Sequence, residues 1–290
     1  MRDISLESPA GAIPYFTFLN YGDTRSGKTW FAATFPRPFI FADVIESGYK
    51  SIKTMDRDQW FEPDVAPIIR GVENMGDVAN EMPKVDALIA QGRVHTLVFD
   101  AFSFYTDFFL AQLLKLQTKP DNRQAYGQLG VHLREIRTTL HSRGKNVVWS
   151  CLAKHPETED PKGRPMIPGQ QSDKFSAGVD FLFHSRVEQK REGGKIVSET
   201  RELRTRQYNS YIAGHREGIY SNSLPDPFVG NYADFIAALG FDVDAIRKTI
   251  KQPQKPVVQA PKPAAVTRPA PKVVPTPAIN NPASRGAIKQ

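Results

Sequence analysis

Cysteine is nearly missing: Cys151 is the single one in 290 residues, so no internal disulfide can form and a small disulfide-stapled scaffold is excluded. It sits in the apolar run NVVWSCLA, which predicts a buried, inert thiol and not a nucleophile. Six scattered histidines lack ligand spacing, so no structural zinc is expected. No apolar run approaches bilayer length, and the opening MRDISLESPAGAIP carries acidic residues where a secretory leader would have its apolar core. These absences predict a cytoplasmic protein with no membrane partner.

Acidic and aromatic residues are both missing from residues 251–290, which hold seven Lys or Arg and nine of the 23 prolines. Such a segment buries too little apolar surface to offset its ordering entropy, so it is predicted to be a disordered, Pro-rich basic tail. The remaining 31 Lys and Arg face 31 Asp and Glu in residues 1–250, so the body is formally neutral and the net charge of +7 belongs to the tail. The body's affinity for nucleic acid therefore cannot be argued from the isoelectric point.

What the chain does contain is LNYGDTRSGKTWFAATFP at residues 19–36. Gly22, Gly27, Lys28 and Thr29 fit the spacing GxxxxGK[ST]. In such a loop, here Gly22, Asp23, Thr24, Arg25, Ser26, Gly27, Lys28 and Thr29, backbone amides wrap phosphates, the lysine reaches the outer phosphates, and the hydroxyl residue holds magnesium. Glycine lets the chain approach the anion closely. The context agrees: YFTFLNY ahead of the loop reads as a strand, and KTWFAATF behind it starts a helix that ends before Pro36. ATP and Mg2+ are the cofactors this predicts.

Strand and helix patterns then alternate. RPFIFAD and APIIRG read as strands; Val78, Met82, Val85 and Ile89 mark an amphipathic helix, interrupted near Pro83 and stopped by Gly92. VHTLVFD is a strand, Leu129, Leu133, Ile136 and Leu140 mark a helix capped by Gly144, and NVVWSCLA returns as a strand. Apolar strands joined by crossover helices imply an α/β fold with a mainly parallel sheet covered by helices on both faces. Two β-rich runs flanking Gly193 and Gly194 predict a C-terminal antiparallel hairpin at the sheet edge. The domain plan is an extension at 1–12, a nucleotide-binding domain at 13–250 and the tail at 251–290.

VHTLVFD ends in Asp100, a carboxylate placed to hold magnesium opposite Thr29. Many ATPase motors put a glutamate next, but this chain has Ala101. A water-orienting base must then come from elsewhere, and FIFADVIESGYKSI offers Asp43 and Glu46 at the C-terminal end of a strand, where phosphate sites gather. Glu46 is the preferred base. At the tip of NVVWSCLAKHPE stand Ser150, Lys154 and His155, where a polar residue can feel the terminal phosphate and relay its loss to the loop TEDPKGRPMIPGQQSDKF. For His155 a strand-end histidine bonded to a backbone carbonyl is the equal alternative.

The ordered motifs GDTRSGKT, FIFADVIESGYKSI, VHTLVFD, AYGQLGVHLREIRTTL, NVVWSCLAKHPE, IPGQQSDKFSAGVDFLFHSR and YIAGHREGIY resemble phage AAA-type nucleotide-binding proteins with a RecA-like core. Some of that group are RecA-like single-strand annealing ATPases, and the resemblance covers about residues 12–240. It implies a RecA-like P-loop NTPase core, ATP bound by Gly22 to Thr29, magnesium at Thr29 and Asp100, a catalytic acid near Glu46, a sensor at His155 and a subunit-bridging Arg216. It further implies a homo-oligomer in the host cytoplasm that handles single-stranded DNA, with a single-strand-binding protein as a further partner. Two departures bear on hydrolysis. Asp43-Val44-Ile45-Glu46 is one residue longer than the family's Asp-x-Glu, and AGHRE has Gly214 where a lysine often pairs with the arginine.

The candidate strand contacts are Lys162, Arg164 and Lys174 in the 156–175 loop, and Lys190, Arg191 and Lys195 in the hairpin. Phe175 is the one aromatic of that loop available for base stacking. The alternatives are a small-molecule or nucleotide kinase, which would need an arginine-bearing lid that no segment resembles, and an ATP-dependent adaptor for a helicase or packaging machine.

Overall fold

A computed structural model describes residues 14–44, 48–73, 75–116, 122–216 and 224–251. In chain order the elements are β1 (Thr17–Gly22), α1 (Lys28–Ala33), β2 (Pro38–Asp43), β3 (Ile68–Val72), α2 (Met75–Ala90), β4 (Thr96–Asp100), α3 (Phe102–Lys115), α4 (Asn122–His141), β5 (Asn146–Lys154), β6 (Arg164–Pro165), α5 (Gln171–Ser176), β7 (Phe181–Glu192), β8 (Lys195–Arg204), β9 (Gly214–His215), α6 (Tyr232–Ala238) and α7 (Val243–Lys251). The sheet order is β3-β2-β4-β5-β1-β7-β8. All neighbours from β3 to β7 are parallel, and β8 closes the edge antiparallel to β7.

Alternation along β1 divides the interior. Phe18 joins a layer with Phe31, Phe35, Phe183, Tyr232 and Phe235 under α1, α6 and α7. Leu19 and Tyr21 point to the other face, which packs Phe99, Leu129, Leu133 and Trp149 under α2, α3 and α4. A sheet buried on both faces explains why its strands read as nearly continuous apolar runs. Parallel pairing also brings the C-terminal ends of β1, β2, β4 and β5 to one edge, where Gly22, Asp43, Asp100 and Lys154 end their strands.

Two expectations need correction. α2 runs unbroken through Pro83, because Val78 and Val85 bury its face and packing outweighs the lost backbone bond. The hairpin lies at the sheet edge as expected: β7 is the parallel neighbour of β1, β8 runs antiparallel to β7, and the short β9 also pairs antiparallel with β7. The stretch 156–175, expected to be a loop, holds β6 and most of α5, and helices α3, α6 and α7 have no counterpart in the sequence pattern. In α3 buried Phe102, Thr106 and Leu110 keep helical spacing, but aromatic residues on its other side, Phe104 and Phe108, obscure the pattern. α6 starts with a capping box, in which Asn231 Oδ1 accepts from the amides of Ala233 and Asp234 and the Asp234 carboxylate accepts from the Asn231 amide.

Gly92 and Gly144 end α2 and α4 with positive φ of 68° and 59°. The 1–12 extension and the tail, apart from Lys251 at the end of α7, lie outside the described residues. Among the described residues no helix is long and apolar enough to cross a membrane.

Candidate nucleotide site

Between the end of β1 and the start of α1 the chain wraps a cavity of about 610 Å³. Positive φ at Arg25 (67°) and Gly27 (95°) turns the loop back on itself, the conformation that aims successive amides into a concavity. Lys28 Nζ donates to the Gly22 carbonyl at 2.9 Å and the Asp23 carbonyl at 2.7 Å. Its ammonium is therefore folded onto the loop it would leave for a phosphate. Gly22 is fixed by crowding, since a Cβ there would lie 2.1 Å from the Ser185 carbonyl oxygen of β7.

Thr29, the second residue of α1, donates its hydroxyl to Asp100 Oδ2 at 2.6 Å. Two hard oxygen donors, 71 residues apart in sequence, thus converge at the cavity wall, a donor set suited to Mg2+. Burial raises the Asp100 carboxyl above the usual carboxylate range; the Thr29 hydroxyl, the Lys28 charge and the Ser150 hydroxyl lower it, and the Asp43 charge adds to the rise. Gly48 closes this corner: a Cβ there would come within 3.1 Å of Thr29 Oγ1 and 3.4 Å of Asp100 Oδ2. A glycine leaves that space for an ion and its water.

The two base candidates part here. Asp43 ends β2 beside Asp100, both lining a second, apolar cavity of about 350 Å³. Glu46 lies outside the described residues.

His155 follows β5 and reaches the phosphate loop. Its Nε2 stands 3.1 Å from Asp23 Oδ1, and its Nδ1 stands 2.7 Å from the Tyr211 hydroxyl. The backbone-carbonyl alternative for His155 is not what the geometry presents. Tyr211 in turn stacks on His184 with centroids 4.1 Å apart, and Tyr21 donates its hydroxyl to the carbonyls of Ile212 and Gly163. Gly163 is required where it stands, because a Cβ would meet the Tyr211 ring at 2.3 Å. The start of the 156–175 loop and the 208–212 turn are thereby joined to the phosphate loop through one histidine.

Arg216 is not brought to this site. Its backbone amide donates to the Asp180 carbonyl and its Nε to the Val179 carbonyl at 3.2 Å, where β7 begins. That is the opposite end of the sheet from Gly22, about 17 Å away at 3.3 Å per strand residue.

The basic candidates divide into three groups. Arg164 is committed to Asp160 and Asp173, and Lys154 also pairs with Asp160 at 2.9 Å. Lys162 and Lys174 are exposed beside them, and Phe175 is buried against Trp149 and Phe102, so it offers no stacking face. Lys190, Arg191 and Lys195 stand on the exposed part of the hairpin, Lys190 with Glu192 at 3.0 Å. Cys151 is fully buried and its thiol is pushed up to about 12 by desolvation.

Sequence reasoning passed over Gly48, Tyr211 and Arg201. Arg201 of β8 lines the phosphate-loop cavity. Its signal was hidden in a run of alternating charges.

The profile of the AAA domain family matches residues 15–216. Among solved structures, the chain is similar to a KaiC-like protein from the hyperthermophilic archaeon Pyrococcus horikoshii OT3, with 16% identity, 70% of this chain and 82% of that chain covered, and a TM-score of 0.38. No curated protein matches the chain.

Proposed function

The chain belongs to the AAA domain family, and from that premise we propose that it is a magnesium-dependent ATPase of phage DNA recombination, binding ATP between subunits and handling single-stranded DNA. The nucleotide half of this reading is supported by the meeting of Thr29 Oγ1 and Asp100 Oδ2 at 2.6 Å beside Lys28. Thr29 and Asp100 would hold magnesium through their side-chain oxygens, and the ion would supply positive charge to offset that of the phosphates. Lys28 exchanges the carbonyls of Gly22 and Asp23 for the outer phosphates. Asp43, with Glu46 nearby in sequence, is the carboxylate to orient water, and Arg216 serves a neighbouring copy's site.

The observation that carries the DNA half is the placement of His155 between Asp23 and Tyr211. A change at the phosphates reaches the 156–175 loop, with Lys162 and Lys174, through a single side chain. The exposed hairpin offers Lys190, Arg191 and Lys195 as further phosphate contacts.

The test pairs calorimetry with DNA binding. Lys28→Ala removes the cation from the outer phosphates and lowers ATP affinity about a hundredfold or more while circular dichroism stays unchanged. Wild-type protein binds a single-stranded oligonucleotide at low salt with an affinity that ATP alters. Equal ATP binding by both proteins overturns the nucleotide half. An oligonucleotide left unbound at low salt, with and without ATP, overturns the DNA half.

A further inference from the structure

Edge strand β8 brings a cation onto the phosphate loop of its own chain. Leu203 packs into the layer with Phe31 and Phe183, which sets the face of β8 that looks toward α1. By period-two alternation Arg201 stands on that same face, one step toward the hairpin tip. Its stem lies against the loop: a Cβ on Gly27 would come within 2.8 Å of Arg201 Cδ and 3.5 Å of its Cβ. Arg201 shares the cavity with Thr24, Arg25, Lys28 and Thr29.

The neighbouring arginines of the hairpin are held elsewhere. Arg186 and Arg204 both engage Glu202 on the opposite face, and Arg204 also lies 3.6 Å from Asp226 and stacks over Tyr208 at 3.9 Å. Arg201 has a far weaker hold, a 3.5 Å pair with Glu199 between two half-exposed side chains. Such exposed pairs contribute little, so a guanidinium released to a phosphate gains a charge-assisted, forked contact at small cost.

The geometry points to Arg201 as a nucleotide-phosphate ligand supplied in cis by the edge hairpin, so that the bound nucleotide pins the root of that hairpin. The inference rests on the phosphate-loop reading and adds a contact from a different element, 172 residues away from Thr29 in sequence. It also gives nucleotide occupancy a physical route to the hairpin that carries Lys190, Arg191 and Lys195.

The experiment measures ATP affinity by calorimetry, with magnesium, for wild type, Arg201→Ala, Arg201→Lys and Lys28→Ala, and backbone hydrogen exchange of residues 195–204 with and without ATP. Arg201→Ala lowers ATP affinity about tenfold, Arg201→Lys less, because a point charge replaces the fork. ATP slows exchange in 195–204 of the wild type and not of Arg201→Ala. If wild type binds ATP and Arg201→Ala binds it equally well, or if exchange in 195–204 ignores ATP in that binding-competent wild type, the inference falls and the phosphate-loop reading stands. If wild type binds no more ATP than Lys28→Ala, the phosphate-loop reading fails and the inference fails with it.

Discussion

Asp100 is buried, bonded to Thr29 and pushed toward its neutral form by desolvation. If magnesium binds there as proposed, the divalent ion would favour the charged carboxylate that burial opposes. Asp100→Asn keeps the shape and the Thr29 contact but loses the charge, so ATP affinity with magnesium falls to the value measured with EDTA. Titrations with and without the metal check this, and a variant that keeps a magnesium-dependent gain removes Asp100 from the site. At this scale the sequence was legible where spacing is local or a strand ends in a known residue. Spacing singles out Gly22, Lys28 and Thr29, the end of an apolar strand singles out Asp100, and the fold gathers Lys28, Thr29 and Asp100 at one cavity. Gly48 and Arg201 were not legible, since each is defined by what touches it across the fold: Gly48 by Thr29 and Asp100, Arg201 by Gly27.

Among elements, the strands were the easiest to read, because a sheet buried on both faces leaves unbroken apolar runs such as VHTLVFD and NVVWSCLA. α3 was hidden because Phe104 and Phe108 stay exposed and blur its period, and α2 was read as broken because Pro83 is a strong local signal that packing overrode. The hairpin was legible through Gly193 and Gly194, with positive φ of 58° and 81°. Its outer part has every side chain from Lys190 to Arg201 exposed, so that it adds charge without adding core. Replacing Lys190, Arg191 and Lys195 together with alanine should lower the salt slope of single-strand binding by about two, at roughly 0.7 per phosphate contact. Fluorescence anisotropy over a salt series reads the slope, and thermal melting should stay where it was. An unchanged slope would place the strand contacts off the hairpin.

Over the whole molecule, stability responds to acid through histidines that fold into the interior. Burial lowers His184 from its ordinary value to about 4 and His95 to about 3, aided at His95 by the charges of Lys145 and Arg37. The unfolded chain binds these protons near pH 6.5, and the folded chain refuses them until about pH 4 or below. The stability they contribute is therefore complete above pH 6.5 and is lost as pH falls from there toward 4. Thermal melting should move down by several degrees between pH 7 and pH 5, and His184→Phe, which keeps a ring against Tyr211, should flatten that trend. A melting temperature that ignores pH in wild type, or the same slope in both proteins, would count against it. The position of Arg216 carries a consequence for symmetry. It sits at the end of the sheet opposite its own phosphate loop, so if it completes a site, that site belongs to another copy. One face then gives and a different face receives, and such a heterologous contact is not made by a two-fold axis. Repeated, it closes into a ring or winds into an open filament, and the rotation between successive copies decides which.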